Sequence, residues 1–167
     1  MSLPEVDGHW RDTEAALRHY FRGASHDNAV RFLGYTSAEV SKELNERLDE
    51  AELAASFALL ASIEAAFRID FLQRCYRKDK ATISRRFREM NRKRPNRIKL
   101  DEDIFSSWAD DVDQLRPLTN RLKSAFRFRH WLAHGRYWTP QFGRKFDYLS
   151  LYQLAYEVFL NFPFLES

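Results

Sequence analysis

Apolar and polar positions along this chain alternate with the spacing of helices rather than of strands. The longest run covers residues 49–76, contains neither Gly nor Pro, and carries large apolar side chains at Leu53, Phe57, Leu60, Phe67 and Phe71. These positions recur at intervals of three to seven residues, which brings them to one side of a helix with 3.6 residues per turn. The pattern therefore predicts one long helix over 49–76.

Two shorter helices are predicted before this run. Asp12 or Thr13 can cap a helix that ends near residue 21, because their side-chain oxygens accept hydrogen bonds from free backbone N–H groups. Thr36 and Glu39 have the spacing of a capping box, which predicts a second, polar helix to about residue 48. We expect residues 1–48 to form an N-terminal helical extension packed on a bundle of residues 49–167.

Four further helices are predicted after residue 76. A basic helix over 82–91 is followed by a loop over 91–99 and by a helix that opens at Asp101. Pro117 suits the first turn of the next helix, which runs to about residue 134, where Gly135 can take up the left-handed terminal conformation. A loop over 139–145 precedes a last helix over 147–160. No segment requires a sheet, so the expected fold class is all-α, a helical bundle with a long central helix and short N-terminal helices.

Composition narrows the classes of function. The 167 residues include 44% hydrophobic residues, enough for a real core, and a single cysteine, Cys75, which cannot form an internal disulfide. We expect a reducing, cytoplasmic location. Neither a secretory signal nor an apolar run of membrane-spanning length is visible, so no membrane partner is expected. The chain also lacks a Gly-rich phosphate loop, and no cofactor is predicted.

The formal net charge of +3 conceals a strong asymmetry along the chain. Residues 74–99 contain twelve Lys and Arg against two acids, which leaves the remainder of the chain acidic. A basic block on a mildly acidic protein is suited to electrostatic contact with phosphates. The alternative interpretation is a solvated charged face without a partner.

The segment 129–135 carries the chemistry: Arg129-His130-Trp131-Leu132-Ala133-His134-Gly135. A guanidinium can stabilise charge on a phosphoryl group, and an imidazole can move protons near neutral pH. Arg129 also lies in the apolar stripe of its predicted helix, where an unpaired cation would be costly. It must therefore pair with an acid or face a seam open to solvent or ligand.

This Arg-x4-His segment, with Ala133-His134-Gly135 at its end, resembles the signature of the HEPN family (higher eukaryotes and prokaryotes nucleotide-binding). The segment 62–68 on the long helix, with Glu64 and Arg68 one turn apart, is similar to an early helix of that family. The resemblance implies a metal-independent endoribonuclease that cleaves RNA by attack of the 2′-hydroxyl. It also implies a toxin or phage-defence effector, with an antitoxin or nucleotidyltransferase as a further partner.

The resemblance implies a role for each of these residues. His134 acts as general acid or base, Arg129 stabilises transition-state charge, and His130 shares in either task. Glu64 and Arg68 support the site, with Glu64 neutralising Arg129 or orienting an imidazole. Residues five apart on a helix differ by about 140° in direction, so two copies facing each other across a two-fold axis are predicted to pool their side chains in a homodimer. RNA would be bound by Arg85, Arg86, Arg88, Arg92, Arg94, Arg97 and Tyr137.

The sequence after His134 differs from that of one HEPN subgroup, in which the second residue after the histidine is a tyrosine that is modified. Arg136 holds that place here, and Tyr137 comes one residue later. Other functions also remain open: a non-catalytic RNA- or protein-binding module, or a scaffold that dimerises through its aromatic-rich helix. His130 and His134 have the spacing of a helical metal pair, but no third ligand is evident, and no metal site is predicted.

Overall fold

The chain is a helical bundle built around one long helix. A computed structural model describes residues 2–22, 30–77, 79–95, 97–135 and 146–165. Among them we distinguish the helices α1 (Leu3–Phe21), α2 (Ser37–Tyr76), α3 (Thr82–Lys93), α4 (Ser106–Asp111), α5 (Arg116–Ala133) and α6 (Tyr148–Asn161). A π-helical turn, Leu100–Phe105, leads into α4, and a 3₁₀ turn, Asp113–Leu115, leads into α5. The described residues contain no strand, which confirms the all-α prediction.

Helix α2 is longer than its sequence pattern predicted. It begins where expected: the Thr36 hydroxyl accepts from the Glu39 N–H at 3.2 Å, and the Glu39 carboxylate accepts from the Thr36 N–H at 2.8 Å. The predicted end near residue 48 is wrong, because α2 continues without interruption for 40 residues, about 60 Å. The predicted division between 1–48 and 49–167 therefore falls inside a helix.

Helix α1 begins ten or eleven residues earlier than predicted, at Leu3 rather than after Asp12 or Thr13. Proline at position 4 is accommodated in the first turn, where its missing N–H is not needed. The hydroxyl of Thr13 donates to the carbonyl of His9 at 2.7 Å, one turn back, instead of capping a helix end. Burial of Val6 against α2 stabilises the early turns.

Smaller differences occur at two other boundaries. Helix α3 runs to residue 93, so the loop after it is shorter than predicted. The helix expected to open at Asp101 begins one residue earlier as the π-helical turn, whose Asp103 carboxylate accepts from the Lys99 N–H at 2.8 Å. Pro117 in the first turn of α5 and Gly135 at φ +79° agree with the predictions. The predicted loop over 139–145 lies outside the described residues.

One face of α2 forms the centre of the core, with the buried side chains Leu59, Leu60, Ile63, Phe67 and Phe71. The Phe67 ring lies 4.8–4.9 Å, between centroids, from the rings of Phe105, Phe162 and Phe164. Such edge-to-face contacts stabilise a core beyond the burial of area alone. They join α2 to the π-helical turn and to the segment after α6. No helix among the described residues combines the length and apolarity needed to cross a membrane.

Contacts along α2 fix the directions of the two helices that follow. The backbone N–H of Tyr148 donates to Glu52 at 2.9 Å, and the N–H of Leu165 donates to Asp70 at 2.9 Å, so α6 runs parallel to α2. Helix α5 runs antiparallel to α6, because Arg121 pairs with Glu157 while Phe128 stacks on Phe146. The C-terminal turn of α5 therefore lies near the start of α6 and the middle of α2.

A buried arginine joins three parts of the chain at the C-terminal end of α2. The Arg74 guanidinium donates to both oxygens of Asp70 at 2.8 and 3.0 Å, to the Ser84 hydroxyl at 3.2 Å and to the Pro163 carbonyl at 2.6 Å. The Arg74 and Asp70 side chains are only 5% and 1% exposed. Because this buried charge is paired and hydrogen-bonded, removing one partner leaves the other uncompensated.

We expect Arg74→Ala to lower the free energy of unfolding by about 3–5 kcal/mol, because it leaves the Asp70 carboxylate buried without its cation. Urea unfolding followed by circular dichroism measures the change. The matched control is Lys42→Ala, which removes the exposed partner of Glu46 in an i,i+4 pair of the same helix and should cost less than about 0.5 kcal/mol. Equal losses in the two variants would contradict the assigned role of Arg74.

Candidate functional site

The candidate site lies at the last turn of α5, where that helix crosses the middle of α2. Leu118, Leu122 and Ala125 are buried and fix the rotation of α5 about its axis. Arg129 continues the same stripe, one turn beyond Ala125, and so reaches the border between the core and α2. The side chain of Arg129 remains 31% exposed.

Arg129 forms the ion pair that its place in an apolar stripe required. Its Nη2 lies 2.9 Å from Oε2 of Glu64, whose other oxygen accepts from Nε of Arg68 at 2.7 Å. One carboxylate thus holds two guanidinium groups and leaves the cluster with a net positive charge. The Nε of Arg129 is buried, and no acceptor for it lies within hydrogen-bonding distance among the described residues.

Phe57 is a member of this cluster that the sequence reasoning missed. The guanidinium carbon of Arg129 lies 5.2 Å from the centroid of the Phe57 ring, the geometry of a cation–π contact. The signal that could have found it is spacing: Phe57 and Glu64 are seven residues apart, two turns of the same stripe of α2. Two residues of α2 therefore hold the guanidinium from two directions.

The two histidines of the motif lie together on the solvent side of α5. The rings of His130 and His134 are 4.1 Å apart between centroids, and both residues are exposed. His134 ends the helix, with its N–H donating to the His130 carbonyl at 3.1 Å, and Gly135 follows in the left-handed conformation. The sequence-predicted site residues thus fall into two groups, the imidazole pair and the Arg129–Glu64–Arg68 cluster.

The aromatic residues of α5 are covered by the chain's own residues. Phe128 stacks on Phe146 with centroids 5.1 Å apart, and Phe126 meets Phe105 at 5.3 Å. The Phe126 and Phe128 side chains therefore pack within the chain and do not need a second copy to cover them.

Three of the six arginines expected to bind RNA make internal contacts. Arg86 donates to the Ser107 carbonyl at 3.2 Å, and Arg94 pairs with Asp103 at 2.5 Å. Arg88 donates to three backbone carbonyls, those of residues 74, 77 and 79, at 2.7–3.2 Å. These guanidinium groups tie the turn after α2 and the π-helical turn to α3. The basic composition of 74–99 thus partly reflects the needs of the fold.

The other three, Arg85, Arg92 and Arg97, are exposed. Their segment packs at the C-terminal end of α2, near Arg74, whereas Arg129 contacts the middle of α2 at Glu64. These two levels are ten residues, or about 15 Å, apart along the helix. Hydrogen bonds from the Ser84 hydroxyl and the Ala81 N–H lower the pKa of Asp79, which lines a groove with Lys80, Arg85 and Arg88. Tyr137, the remaining predicted RNA contact, lies outside the described residues.

Comparison of the chain with protein-family models, curated proteins and solved structures found no significant match. The resemblance to the HEPN signature therefore rests on the motif residues of the sequence alone. Within the described parts of the chain, no group of three or more His, Cys, Asp or Glu side chains is arranged to hold a metal ion.

A double-mutant cycle on Glu64→Gln and Arg129→Met should give a coupling energy of about 1–2 kcal/mol, since this charged hydrogen bond is largely shielded from water. The matched cycle on Glu64→Gln and Arg68→Met should give less than about 0.5 kcal/mol, because the Arg68 side chain is 47% exposed. Chemical denaturation of the single and double variants measures both. Coupling that is absent in the first cycle would contradict the ion pair.

Proposed function

We propose that this chain is a metal-independent endoribonuclease whose site is shared by two copies of the chain. The observation that carries the proposal is the last turn of α5: two exposed imidazoles in contact on its solvent side and, on its α2 side, a guanidinium held in place by Glu64 and Phe57. These groups supply what cleavage of a phosphodiester needs, namely proton transfer and stabilisation of negative charge.

The reaction is an internal displacement within the RNA. The 2′-hydroxyl oxygen attacks the adjacent phosphorus while its proton passes to a neutral imidazole, assigned to His134. The bond from phosphorus to the 5′-oxygen breaks, and that oxygen takes a proton from an imidazolium, which His130 or the second copy provides. Arg129 stabilises the phosphoryl oxygens as they gain charge. The products are a 2′,3′-cyclic phosphate and a free 5′-hydroxyl.

A second copy answers a geometric requirement of this scheme. Arg129 is turned toward α2, while His134 lies at the exposed helix end, five residues and about 140° further on. Two sites that face each other across a two-fold axis can direct the guanidinium of one copy and the imidazole of the other at one phosphate. The proposal further makes the protein a cytoplasmic toxin or defence effector, restrained by an antitoxin.

His134→Ala and Arg129→Ala are each expected to lower the rate of RNA cleavage by at least about 100-fold, because they remove a proton-transfer group and a charge-stabilising group. End-labelled RNA incubated in the presence of EDTA gives the rates and the chemistry of the product ends. Arg127→Ala is the matched control, an exposed arginine two residues from Arg129. Cleavage that persists in both site variants, or that EDTA abolishes, would refute the proposal.

The placement of the exposed arginines favours a second candidate, RNA binding without cleavage. Arg92 and Arg97 are exposed, on a segment that packs at the C-terminal end of α2 rather than beside the motif. A basic surface apart from the imidazoles can hold RNA backbone whether or not the motif is catalytic.

Replacing both Arg92 and Arg97 by Ala should weaken RNA binding and make it less dependent on salt. Each lost phosphate contact on a single strand lowers the slope of log K against log salt by about 0.7, so two lost contacts should lower it by about 1.4. Fluorescence anisotropy over a range of salt concentrations gives both quantities. The matched control, Arg11→Ala with Arg18→Ala on α1, removes equal charge from exposed positions. An unchanged slope in the first variant would exclude this surface.

A further inference from the structure

An apolar groove lies on α2 beyond the start of α1. Helix α1 packs antiparallel along α2, because Trp10 and Thr13 lie beside Ala51 and Ala54, whereas residues 2–4 lie further along α2, at the groove. The groove has a volume of about 930 Å³ and reaches Ile69. It therefore continues the line of α1 toward the C-terminal end of α2.

Side chains of α2 and α6 and the start of α1 enclose this groove. Its floor consists of small side chains of α2, including Ala61 and Ala65, and its α6 wall is aromatic, with Tyr152 and Phe159. No charged side chain is among the described residues that line it. A second helix can approach a floor of small side chains closely, and the aromatic wall offers it a large apolar surface.

Exposed apolar side chains are concentrated in and next to the groove. Among the described residues, six of the ten large apolar side chains that are exposed lie here. They are Ile69, Leu72 and Tyr76 of α2 and Tyr156, Phe159 and Leu160 of α6. Single exposed apolar residues are ordinary, but a cluster beside an apolar groove is typical of a surface that binds a partner.

Helix α1 indicates which kind of segment packs along this side of α2. Its residues Leu3, Val6 and Trp10 follow each other at intervals of three and four and pack against the core. The remainder of residues 3–14 includes four acids and a single arginine. The helix that already lies along this side of α2 is thus amphipathic and acidic.

A positive charge borders the groove. Arg68 follows Ala65 by three residues, so the two side chains are neighbours on α2, and the Arg68 side chain is 47% exposed. The single carboxylate of Glu64 pairs with both Arg68 and Arg129, which leaves one positive charge in excess. This excess charge complements an acidic partner.

We propose that the groove is the docking site for an acidic, amphipathic helix of a partner protein, in line with α1. Such helices bind grooves through apolar side chains at intervals of three and four residues. Residues 62 and 76 of α2 are about 21 Å apart along the helix, which matches a partner helix of about 14 residues. When this helix runs in the direction of α1, its C-terminal end meets the N-terminal end of α1, a favourable arrangement of the two helix dipoles.

The groove is linked to the candidate site through one side chain. Phe57 lines the groove and also lies against the guanidinium of Arg129. A helix that fills the groove therefore contacts the ring that supports Arg129. This consequence rests on the proposed function: the docked protein changes the rate of RNA cleavage and is the partner that restrains the nuclease.

A synthetic helix tests the docking site. The probe is a fluorescein-labelled peptide of about 14 residues, with leucines at intervals of three and four and with glutamate and alanine elsewhere. The control peptide has the same composition, with its leucines distributed evenly around the helix. Fluorescence anisotropy with the whole chain should show at least about 10-fold tighter binding of the probe, because only the probe has one apolar side.

Substitutions in the groove locate the binding. Ala65→Gln with Ile69→Gln enlarges the floor and removes an apolar contact at two exposed positions, and should weaken probe binding at least about 10-fold. The matched control, Ala15→Gln with Leu149→Gln, makes comparable changes at exposed positions away from the groove and should bind like the native chain. Equal circular dichroism of the two variants shows that both fold.

A third peptide tests the charge of the partner. With lysine in place of glutamate, it should bind more weakly than the probe, because the border of the groove is positive. Arg68→Gln should reduce the difference between the two peptides. Tighter binding of the lysine peptide to the native chain would overturn the acidic assignment.

Other outcomes overturn the docking site itself. They are equal binding of the probe and the control peptide, and probe binding that survives Ala65→Gln with Ile69→Gln. If the neutral dye Nile red binds in the groove and the probe does not displace it, the groove belongs to a small apolar ligand. If sedimentation velocity shows a native dimer that only the groove variant loses, the groove belongs to a second copy.

RNA cleavage measured with and without the probe separates this proposal from the nuclease. If the probe binds but the native chain cleaves no RNA, the docking site stands and the nuclease fails. If the native chain cleaves RNA but does not bind the probe, the nuclease stands and the docking site fails. If the probe binds without changing the cleavage rate, the docking site stands and the link through Phe57 is wrong.

Discussion

Burial of one face of α2 is the constraint on which the rest of the structure depends. Helices α1, α3, α5 and α6 and the π-helical turn all pack against this helix, and its buried leucines, isoleucine and phenylalanines form the centre of the core. Because Leu122 and Ala125 must face that core, the rotation of α5 is fixed, and Arg129 falls at the border with α2. The ion pair with Glu64 is thus a consequence of core packing, and the exposed side of the same turn is left to the histidines.

Features set by local chemistry were predictable from the sequence. The capping box at Thr36, the proline in the first turn of α5 and the left-handed Gly135 depend on neighbouring residues, and the structure has all three. The start of α1 also depends on neighbouring residues, since Ser2 and Glu5 form a capping box with Pro4 in the first turn, and this local signal was missed. The continuity of α2 past residue 48 was not predictable, because a change in the apolar pattern marks where the packing changes and need not mark where a helix ends.

The same distinction applies to the candidate site. That Arg129 needs an acid followed from its position among apolar residues, and Glu64 is that acid. The support from Phe57 was missed, although its spacing of seven residues from Glu64 on α2 could have indicated it. The internal roles of Arg86, Arg88 and Arg94 were hidden for a similar reason: their acceptors include backbone carbonyls and carboxylates whose proximity no charge count reveals. A basic segment can therefore be rich in arginine while offering few of its guanidinium groups to a ligand.

Because the backbone of α2 is uninterrupted, the chain cannot be divided at residue 48 without cutting this helix. A fragment that began at residue 49 would start in mid-helix, with its first four N–H groups deprived of their carbonyl partners. It would also lose α1, whose Trp10 and Thr13 line a groove together with Ala51, Ala54 and Ala58 of α2. Residues 37–48 and 49–76 therefore share one continuous helix, and a cut at residue 48 would break it.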